Sequence, residues 1–467
     1  MIRTSVPLLL LLTFSTAFPA IKYGAGDKVR LLILWVFASL LWPVGTLAGT
    51  ASSEGASRNI LIVYSGNTLG ELKPCGCARE EDQGGIERRM SYLKEVRTRA
   101  KNTLLVDTGD NFKEPTRQGK LKGQTLMAAM AKMEYDAVTL GDHDFVYGNP
   151  FIREQNGIPW VSSNIQIDGT PIPGIRIKNF DNGLKAAVIA VADPDLLYGI
   201  HHSRGRVKTP EETVTSLIQD LKAGENPDIV VLLTHMEKEK ALPLLDLEGI
   251  DVVVNGHIRT DTDTPDMTPV PRGKKMFVQP GPRGQKMGEL EVAIDSNGEK
   301  SFTQRMTPLG SKVPFDAEMV TLYEKYNKEV EEMFFASLAK QRNNNAEKVF
   351  ATEKTCKTCH PQIHKTWEDS RHGRAYDTLR KVNKAFDPEC LVCHVTGLNL
   401  PGGFISEIDT PDLENVQCEV CHGPALSHSQ APSRGFGRDA RQACKTCHVK
   451  NHSPKFNFEK YWEKIKH

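Results

Sequence analysis

Four copies of the motif C-x-x-C-H lie in the last quarter of this 467-residue chain and limit what that part can fold into. In each copy, two thiols three residues apart can form thioether bonds to a haem, and the histidine that follows can bind its iron. A zinc site would not need a histidine at that fixed position. The motifs therefore predict four covalent haem c groups, attached through Cys356, Cys359, Cys390, Cys393, Cys418, Cys421, Cys444 and Cys447, with His360, His394, His422 and His448 as proximal iron ligands.

Four further histidines are candidates for the sixth iron ligand. A second imidazole gives a low-spin iron suited to electron transfer, and the alternative for each candidate is a surface histidine. The segment after Val349 has too few aliphatic residues to build a core of its own, so haem must supply its apolar interior. Closely spaced haems make electron transfer the expected consequence, and the candidate distal ligands are His364, His372, His428 and His452.

The segment from about residue 350 to 450 resembles the tetrahaem cytochromes related to the electron acceptor of hydroxylamine oxidoreductase. The resemblance rests on three runs, which are Cys356-Lys-Thr-Cys-His360, Cys390-Leu-Val-Cys-His-Val-Thr-Gly397 and Val416-Gln-Cys-Glu-Val-Cys-His-Gly-Pro424. It implies a small, mostly helical fold around stacked haems, with His372 and His428 as distal ligands. Whether one haem lacks a sixth ligand stays open, and the same redox partner is not implied.

Upstream, residues 59 to 308 alternate between strand and helix patterns. Short apolar runs typical of buried strands are separated by amphipathic helical patterns. Polar residues follow most of these strands, where α/β proteins place their ligand sites. The predicted strands cover residues 60–64, 103–106, 137–140, 185–191, 228–233 and 251–254, and the helical patterns cover 85–100, 123–133 and 210–223.

Four predicted strand ends carry side chains that bind metals. Carboxylates and imidazoles that converge from separate strands are what a hydrolytic divalent metal site requires. The runs are Asp107-Thr-Gly-Asp110-Asn111, Gly141-Asp-His-Asp144, Thr234-His235 and Asn255-Gly-His257.

With Gly84-Gly85 and Tyr147-Gly148, these runs resemble the catalytic domain of the periplasmic 5'-nucleotidases, which are calcineurin-like metallophosphoesterases. The resemblance covers about residues 58 to 310 and implies a four-layer αββα sandwich with a two-metal centre. It assigns roles by position: Asp110 as the bridging carboxylate, Asp142 in place of the family's Asn ligand, His235 and His257 as ligands of the second metal, and His143 beside the scissile phosphate.

Three ligands that this family uses for its first metal are replaced here. Asn67 and Leu69 stand in place of an Asp-x-His pair, and Arg259 stands at the end of a Gly-His-x-His motif. One prediction is therefore a single metal, Mn, Fe or Zn, bound by the second set. Two alternatives stay open. In the first, the site holds no metal and the permanent positive charge of Arg259 pairs with Asp110. In the second, Cys75 and Cys77 are new metal ligands.

Cys75 and Cys77 are the two cysteines outside the haem motifs. Thiols two residues apart close only a strained disulfide, so the pair is easily reduced and is a candidate redox couple. The alternative is a pair of inert buried thiols. The candidate catalytic residues are therefore His143, Cys75 and Cys77.

The N-terminal residues indicate export. Lys28 and Arg30 precede an apolar run from Leu31 to Trp42 and then small residues, a pattern typical of a cleaved secretory signal. The alternative is an uncleaved membrane anchor. We expect the mature chain to work in the periplasm or elsewhere outside the cytoplasm. The 59 Lys plus Arg nearly balance the 58 Asp plus Glu, so no global basic field favours nucleic acid.

The sequence thus predicts four segments: a signal or anchor over 1–51, the α/β domain over 52–315, a linker helix over 316–348 with Asp316 as its N-cap, and the haem domain over 349–467. Two functions are compatible with them. One is an electron carrier whose α/β domain docks a partner or senses a substrate. The other is a haem-coupled enzyme, a metal-dependent hydrolase or thiol oxidoreductase, that acts on a phosphorus or sulfur compound with His143 as general acid. The expected partners are redox proteins and such a small molecule.

Overall fold

The computed structural model describes residues 58–74, 76, 82–167, 169, 171–201, 207–258, 266–344, 347–450 and 452–467. These residues belong to one compact unit. Cys75, Cys77, Arg259 and the predicted export signal lie outside the described residues. Within the described part of the chain, every helix is too short or too polar to cross a membrane.

Eleven strands lie in the α/β part of the described chain. Their bounds are β1 (Arg58–Ser65), β2 (Thr103–Asp107), β3 (Ala137–Val138), β4 (Ile175–Asn179), β5 (Lys185–Ala192), β6 (Ile229–His235), β7 (Val252–Asn255), β8 (Val270–Arg272), β9 (Lys275–Val278), β10 (Lys286–Ile294) and β11 (Lys300–Pro308). They form a five-stranded sheet in the order β11-β10-β1-β2-β3 and a six-stranded sheet in the order β4-β5-β6-β7-β9-β8.

The α/β part has seven helices among the described residues, and the C-terminal part has eight. The first group is α1 (Ile86–Arg99), α2 (Arg117–Lys132), α3 (Asn149–Glu154), α4 (Pro194–His201), α5 (Pro210–Ala223), α6 (Lys238–Ala241) and α7 (Ala317–Asn344). The second group is α8 (Thr352–Cys359), α9 (Pro361–Asp369), α10 (Ala375–Lys381), α11 (Pro388–His394), α12 (Cys418–His422), α13 (Leu426–Gln430), α14 (Ala440–Cys447) and α15 (Phe458–Trp462).

The two sheets pack face to face. Successive strand residues point to opposite faces, so a strand with both faces covered is apolar throughout. In β1, Ile60 and Ile62 face the second sheet, whereas Leu61 and Val63 pack on the helical layer that contains α1 and α2. Helix α5 covers the outer face of the second sheet. This arrangement confirms the predicted four-layer αββα sandwich and places the carboxyl ends of β2, β3, β6 and β7 at one edge.

Helix α7 joins the sandwich to the C-terminal helices. The carboxylate of Asp316 accepts hydrogen bonds from the backbone N–H groups of Glu318 (3.1 Å) and Met319 (3.2 Å), so it caps the helix start as predicted. Its apolar stripe is buried, and the helix packs against α1 and α2.

The C-terminal part consists of short helices, as predicted for a haem domain. Each C-x-x-C-H motif lies on a short helix that ends at or just before the motif histidine, namely α8, α11, α12 and α14. Leu391 and Phe404 of this part belong to the same buried apolar cluster as α2 and α7. The helices around the motifs therefore pack on the sandwich through a continuous core.

Substituting Phe334 by Ala should lower the free energy of unfolding by about 3 to 5 kcal/mol, because this α7 side chain is 5% exposed and leaves a cavity when truncated. Urea unfolding followed by circular dichroism measures the change. The neighbouring Phe335, 51% exposed, is the matched control, and Phe335→Ala should change stability by less than about 0.5 kcal/mol. Equal effects of the two substitutions would contradict this packing.

Candidate functional site

Four potential metal ligands meet where strands of both sheets end. Asp110 follows β2, and Asp142 begins a 3-10 helix over Asp142–Phe145 that follows β3. His235 ends β6, and His257 follows β7. One ligand atom from each of the four lies within 4.8 Å of those of the others. The structure thus brings together all four residues that the sequence predicts as metal ligands.

The backbone at this cluster is strained and tightly held. Asp110 (φ 57°) and His257 (φ 52°) lie in the left-handed region, which is unfavourable for residues other than glycine. The buried carboxylate of Asp144 compensates, because it accepts hydrogen bonds from the backbone N–H groups of Asp110, Asn111 and Gly141, each at 2.8 Å. Burial, with the nearby charge of Asp110, raises the pKa of Asp144 to about 7. Asp144 therefore ties both carboxylate-bearing loops together.

His235 is fully buried, and its hydrogen bonds define its tautomer. Its Nδ1 lies 2.8 Å from the carbonyl oxygen of Thr108, so Nδ1 carries the hydrogen and donates. Its Nε2 faces two carboxylates, Asp142 Oδ1 at 3.0 Å and Asp110 Oδ1 at 3.3 Å. Burial alone would lower the pKa of His235, but these two charges raise it well above its ordinary value. Nε2 thus requires a positive charge, either its own proton or a bound cation.

The donor separations fit one divalent metal. A metal about 2.1 Å from each ligand atom places neighbouring donors roughly 3.0 to 3.4 Å apart. Besides the two contacts of His235, His257 Nδ1 lies 3.2 Å from Asp142 Oδ1. Burial would raise the pKa of Asp142, yet its hydrogen bonds to the two histidines lower it far below the ordinary value. A set of two carboxylates and two imidazoles suits a transition metal.

Two residues next to the cluster complete its surroundings. The backbone N–H of His143 donates to Asp110 Oδ1 (3.0 Å), while its ring is 43% exposed, so the side chain is available to a bound molecule. Glu237, which sequence reasoning missed, places Oε1 3.7 Å from His257 Nε2. In the sequence, Glu237 is marked only by its position two residues after the predicted ligand His235. A carboxylate behind a metal-binding imidazole orients the ring.

Asn67 and Leu69 lie beside this cluster, because the backbone N–H of Leu69 donates to the carbonyl oxygen of Asp110 (2.9 Å). Asn67 is buried, and its side-chain N–H donates to the carbonyl oxygen of Ile258 (3.0 Å). Leu69 is also buried, so that position offers no donor atom. Asn67 therefore ties the loop after β1 to the loop that carries His257. Arg259, Cys75 and Cys77 lie outside the described residues, so the alternatives that involve them stay predictions.

The four haem-attachment motifs lie next to one another in the C-terminal part. The thiols of Cys356 and Cys418 are within hydrogen-bonding reach, as are those of Cys393 and Cys447. Helix α14 also contacts both α11 and α12. The motifs thus form a row. Numbered by their order in the sequence, they follow one another in space as second, fourth, third and first.

The residues around the motifs fit haem. Nδ1 of His394 lies 2.7 Å from the carbonyl oxygen of Ala375, so it donates there and leaves Nε2 free to bind iron. This part also exposes large apolar side chains to solvent. Six of the eight exposed large hydrophobic residues of the described chain lie in it, which are Val382, Val392, Leu400, Ile408, Phe436 and Val449.

Two pairs of histidine rings lie close enough together that each pair could hold one haem iron. Two imidazoles on one iron would have ring centres about 6 Å apart, because each ligand nitrogen would lie roughly 2 Å from the metal and each ring centre about 1 Å beyond its nitrogen. The rings of His372 and His448 are 6.2 Å apart, and those of His422 and His467 are 5.6 Å apart. His372 is a predicted distal ligand. His467 was missed, and its only signal is that it is a further histidine after the last motif.

The other three distal candidates have different surroundings. His428 stacks on Phe436 with ring centres 4.3 Å apart. His364 is buried, and its Nε2 lies 2.6 Å from the carboxylate of Glu353. Burial lowers the pKa of His452, which also lies within electrostatic range of Glu71 of the α/β part.

Comparisons with known proteins agree with both halves of this description. Residues 77–260 match the calcineurin-like phosphoesterase family, and residues 355–423 match the family of cytochrome c554 and c-prime. The trifunctional nucleotide phosphoesterase protein YfkN of Bacillus subtilis (strain 168) is 25% identical over 256 residues, 45% of this chain and 17% of that protein. Cytochrome c-554 of Nitrosomonas europaea is 33% identical over 113 residues, 21% of this chain and 46% of that protein.

A solved structure shows the fold of the first part. The 5'-nucleotidase precursor from Thermus thermophilus superposes with a TM-score of 0.52 at 22% identity, covering 63% of this chain and 61% of that chain. The chain therefore spans less than half of either curated relative named above and under two thirds of this solved chain.

Replacing His235 by Ala should abolish divalent-metal binding at the α/β site. His235 Nε2 lies between both carboxylates, so its loss removes a central ligand, and we expect affinity to fall by more than about 100-fold. Titration calorimetry with Mn²⁺ and elemental analysis after dialysis measure the change. His143→Ala is the control and should keep about one equivalent of metal, because its ring lies 4.0 Å from Asp142 Oδ2 and is not one of the four converging ligands. Unchanged metal content in His235→Ala would contradict the assignment.

Proposed function

We propose that this chain, which joins a calcineurin-like phosphoesterase domain to a domain of cytochrome c554 type, is an exported tetrahaem c-type cytochrome that transfers electrons. The observation that carries the proposal is the row of four C-x-x-C-H motifs on adjacent helices. Haems attached to neighbouring helices lie close enough for electrons to pass between them. The predicted signal over residues 1–51 supports work in the periplasm or elsewhere outside the cytoplasm.

The spacing of two histidine pairs supports electron transfer rather than ligand binding as the role of these haems. His372 with His448, and His422 with His467, would each enclose one iron between two imidazoles. A haem held by two imidazoles would supply a low-spin iron suited to electron transfer. His428 and His452 remain candidates for the other irons, whereas His364 is engaged by Glu353.

The α/β domain would bind one divalent metal, Mn, Fe or Zn, through Asp110, Asp142, His235 and His257. When bound, such a metal supplies Lewis acidity to a coordinated oxyanion. Three neighbouring residues would support the four ligands. Asp144 holds the loops of Asp110 and Asp142 in place, the carboxylate of Glu237 adds negative charge beside the His257 ring, and the exposed ring of His143 would serve as general acid beside the cluster.

The complete second ligand set favours one further candidate function. A domain that only docks a partner has no need to converge two aspartates and two histidines, so we also propose a haem-coupled enzyme that acts on a phosphorus or sulfur compound. The name of the Bacillus relative, a nucleotide phosphoesterase, supports a phosphoester. Hydrolysis of a generic phosphodiester by the metal-loaded protein, lost in His235→Ala, would favour this candidate. If the metal-loaded protein hydrolyses no phosphodiester, electron transfer without hydrolysis is the favoured function.

Covalent haem is the direct test of the proposed function. Protein made with the c-type maturation machinery should show a Soret band and the mass of four added haems. A Cys390→Ala, Cys393→Ala double variant should carry one haem fewer, because both thioether bonds of one motif are lost. Cys75→Ser, outside the motifs, should keep all four. Mature protein without covalent haem would refute the proposal.

Replacing His372 by Ala should convert one haem from low-spin to high-spin, because His448 would lose the imidazole opposite it. Electron paramagnetic resonance of the oxidised protein measures the ratio of spin states. His364→Ala is the matched control, and it should leave the low-spin signals unchanged, since His364 bonds Glu353. A high-spin signal in the control and none in His372→Ala would reverse the assignment.

A further inference from the structure

A buried polar contact links the α/β domain to the helix that carries the second haem motif. The side-chain N–H of Gln118, in α2, donates to Asp387 Oδ1 at 2.8 Å and to the hydroxyl oxygen of Tyr326 at 3.2 Å. All three residues are buried. Asp387 Oδ1 also accepts from the backbone N–H of Glu389 (3.1 Å) and so caps α11. Buried polar groups are costly unless paired, so this contact fixes how α2 and α11 meet.

An ion pair lies one turn further along α2. Lys122 Nζ pairs with the carboxylate of Glu389, and the lysine side chain is only 20% exposed. Glu389 is the residue before Cys390, the first thiol of the second motif. Cys390 itself packs against the apolar cluster that contains α2. The thiol thus lies in surroundings built partly by the α/β domain.

The electrostatics of Cys390 agree with this geometry. Burial raises the pKa of Cys390 to about 12, and the charges of Asp387, Lys384, Glu389 and Lys122 act on the thiol as well. Of these four, Lys122 belongs to the α/β domain. A charge that acts on the attachment thiol also acts on the porphyrin bonded to it.

We infer that helix α2 forms one wall of the site for the haem attached through Cys390 and Cys393, and that the Lys122–Glu389 ion pair sets the reduction potential of that haem. This inference rests on the proposed haem attachment. It makes the α/β domain a built-in partner of one particular haem, rather than a module joined to the cytochrome only through α7.

The same haem site connects to the metal cluster through packed side chains. Phe112, two residues after Asp110, packs against Tyr147 (ring centres 5.7 Å apart) and Phe151 (5.1 Å). Tyr147 follows the 3-10 helix of Asp142 and His143, and its hydroxyl donates to the carbonyl oxygen of Glu114 (2.7 Å). A Cβ added to Gly123 of α2 would lie 3.0 Å from the Phe112 ring. These rings therefore fill the space between the metal ligands and α2, the helix whose Gln118 and Lys122 contact the second motif.

The sign of the expected effects follows from charge. Reduction adds an electron to the haem, so a nearby cation stabilises the reduced state and raises the potential, whereas an anion lowers it. Lys122→Met leaves the Glu389 carboxylate unpaired and should lower the potential of one haem. Glu389→Gln leaves the Lys122 ammonium unpaired and should raise it. The double variant removes both charges and should return the potential close to that of the unsubstituted protein.

Spectroelectrochemical titration of the full-length, haem-loaded protein tests the inference. One of the four haems should shift in opposite directions in the two single variants, while the other three keep their potentials. Lys122→Arg keeps the charge and should keep the potential. Lys132→Met is the matched control at the far end of α2, where the lysine pairs with Glu318 on the surface, and it should shift none.

Two results would overturn the inference. One is a protein with four haems whose potentials move in neither single variant, and the other is a shift of the same sign in both, which indicates structural disturbance. A protein without covalent haem would instead refute the proposed function, so the two failures are distinguishable.

Discussion

One continuous apolar core holds the metal-ligand edge and the haem-attachment helices in a fixed relation. Val63 and Met127 of the sandwich, Phe334 of α7 and Leu391 of α11 belong to the same buried cluster. Close packing permits few alternative orientations of the helices relative to the sandwich. The buried hydrogen bond from Gln118 to Asp387 restricts them further, because it needs a defined geometry between α2 and α11. The α/β site and the helices of the four motifs are therefore parts of one body.

Electrostatics explain what the cluster of Asp110, Asp142, His235 and His257 requires. The cluster concentrates two carboxylates around one buried imidazole, and the hydrogen bonds of Asp144 hold them in place. Asn67 and Leu69, in the loop after β1, add no charge beside it, and both lie in the left-handed region (φ 49° and 51°). Such a cluster is stable only with added positive charge. A bound metal satisfies that need, and so does a protonated His235.

Local sequence signals predicted the elements whose patterns are self-contained. The apolar run of β1 is continuous because both its faces are buried, and the metal ligands follow such strands directly. Strands β4 and β8 to β11 were missed. In β11 the reason is that exposed and half-buried residues alternate at the sheet edge, so it lacks an apolar run. The sequence placed a strand over 137–140, but β3 ends at Val138 because the chain turns there toward Asp142. Contacts such as Gln118 with Asp387, or His372 with His448, join distant segments and leave no local pattern.

The most direct test of the claim that the two parts form one body is equilibrium unfolding of the haem-loaded protein in urea. Far-ultraviolet circular dichroism follows the sandwich, and Soret absorbance follows the haem surroundings. If the shared core couples them, both signals change over the same range of urea concentration. Separate transitions, with the haem signal lost while the sandwich persists, would show that the two parts fold independently and would contradict the account.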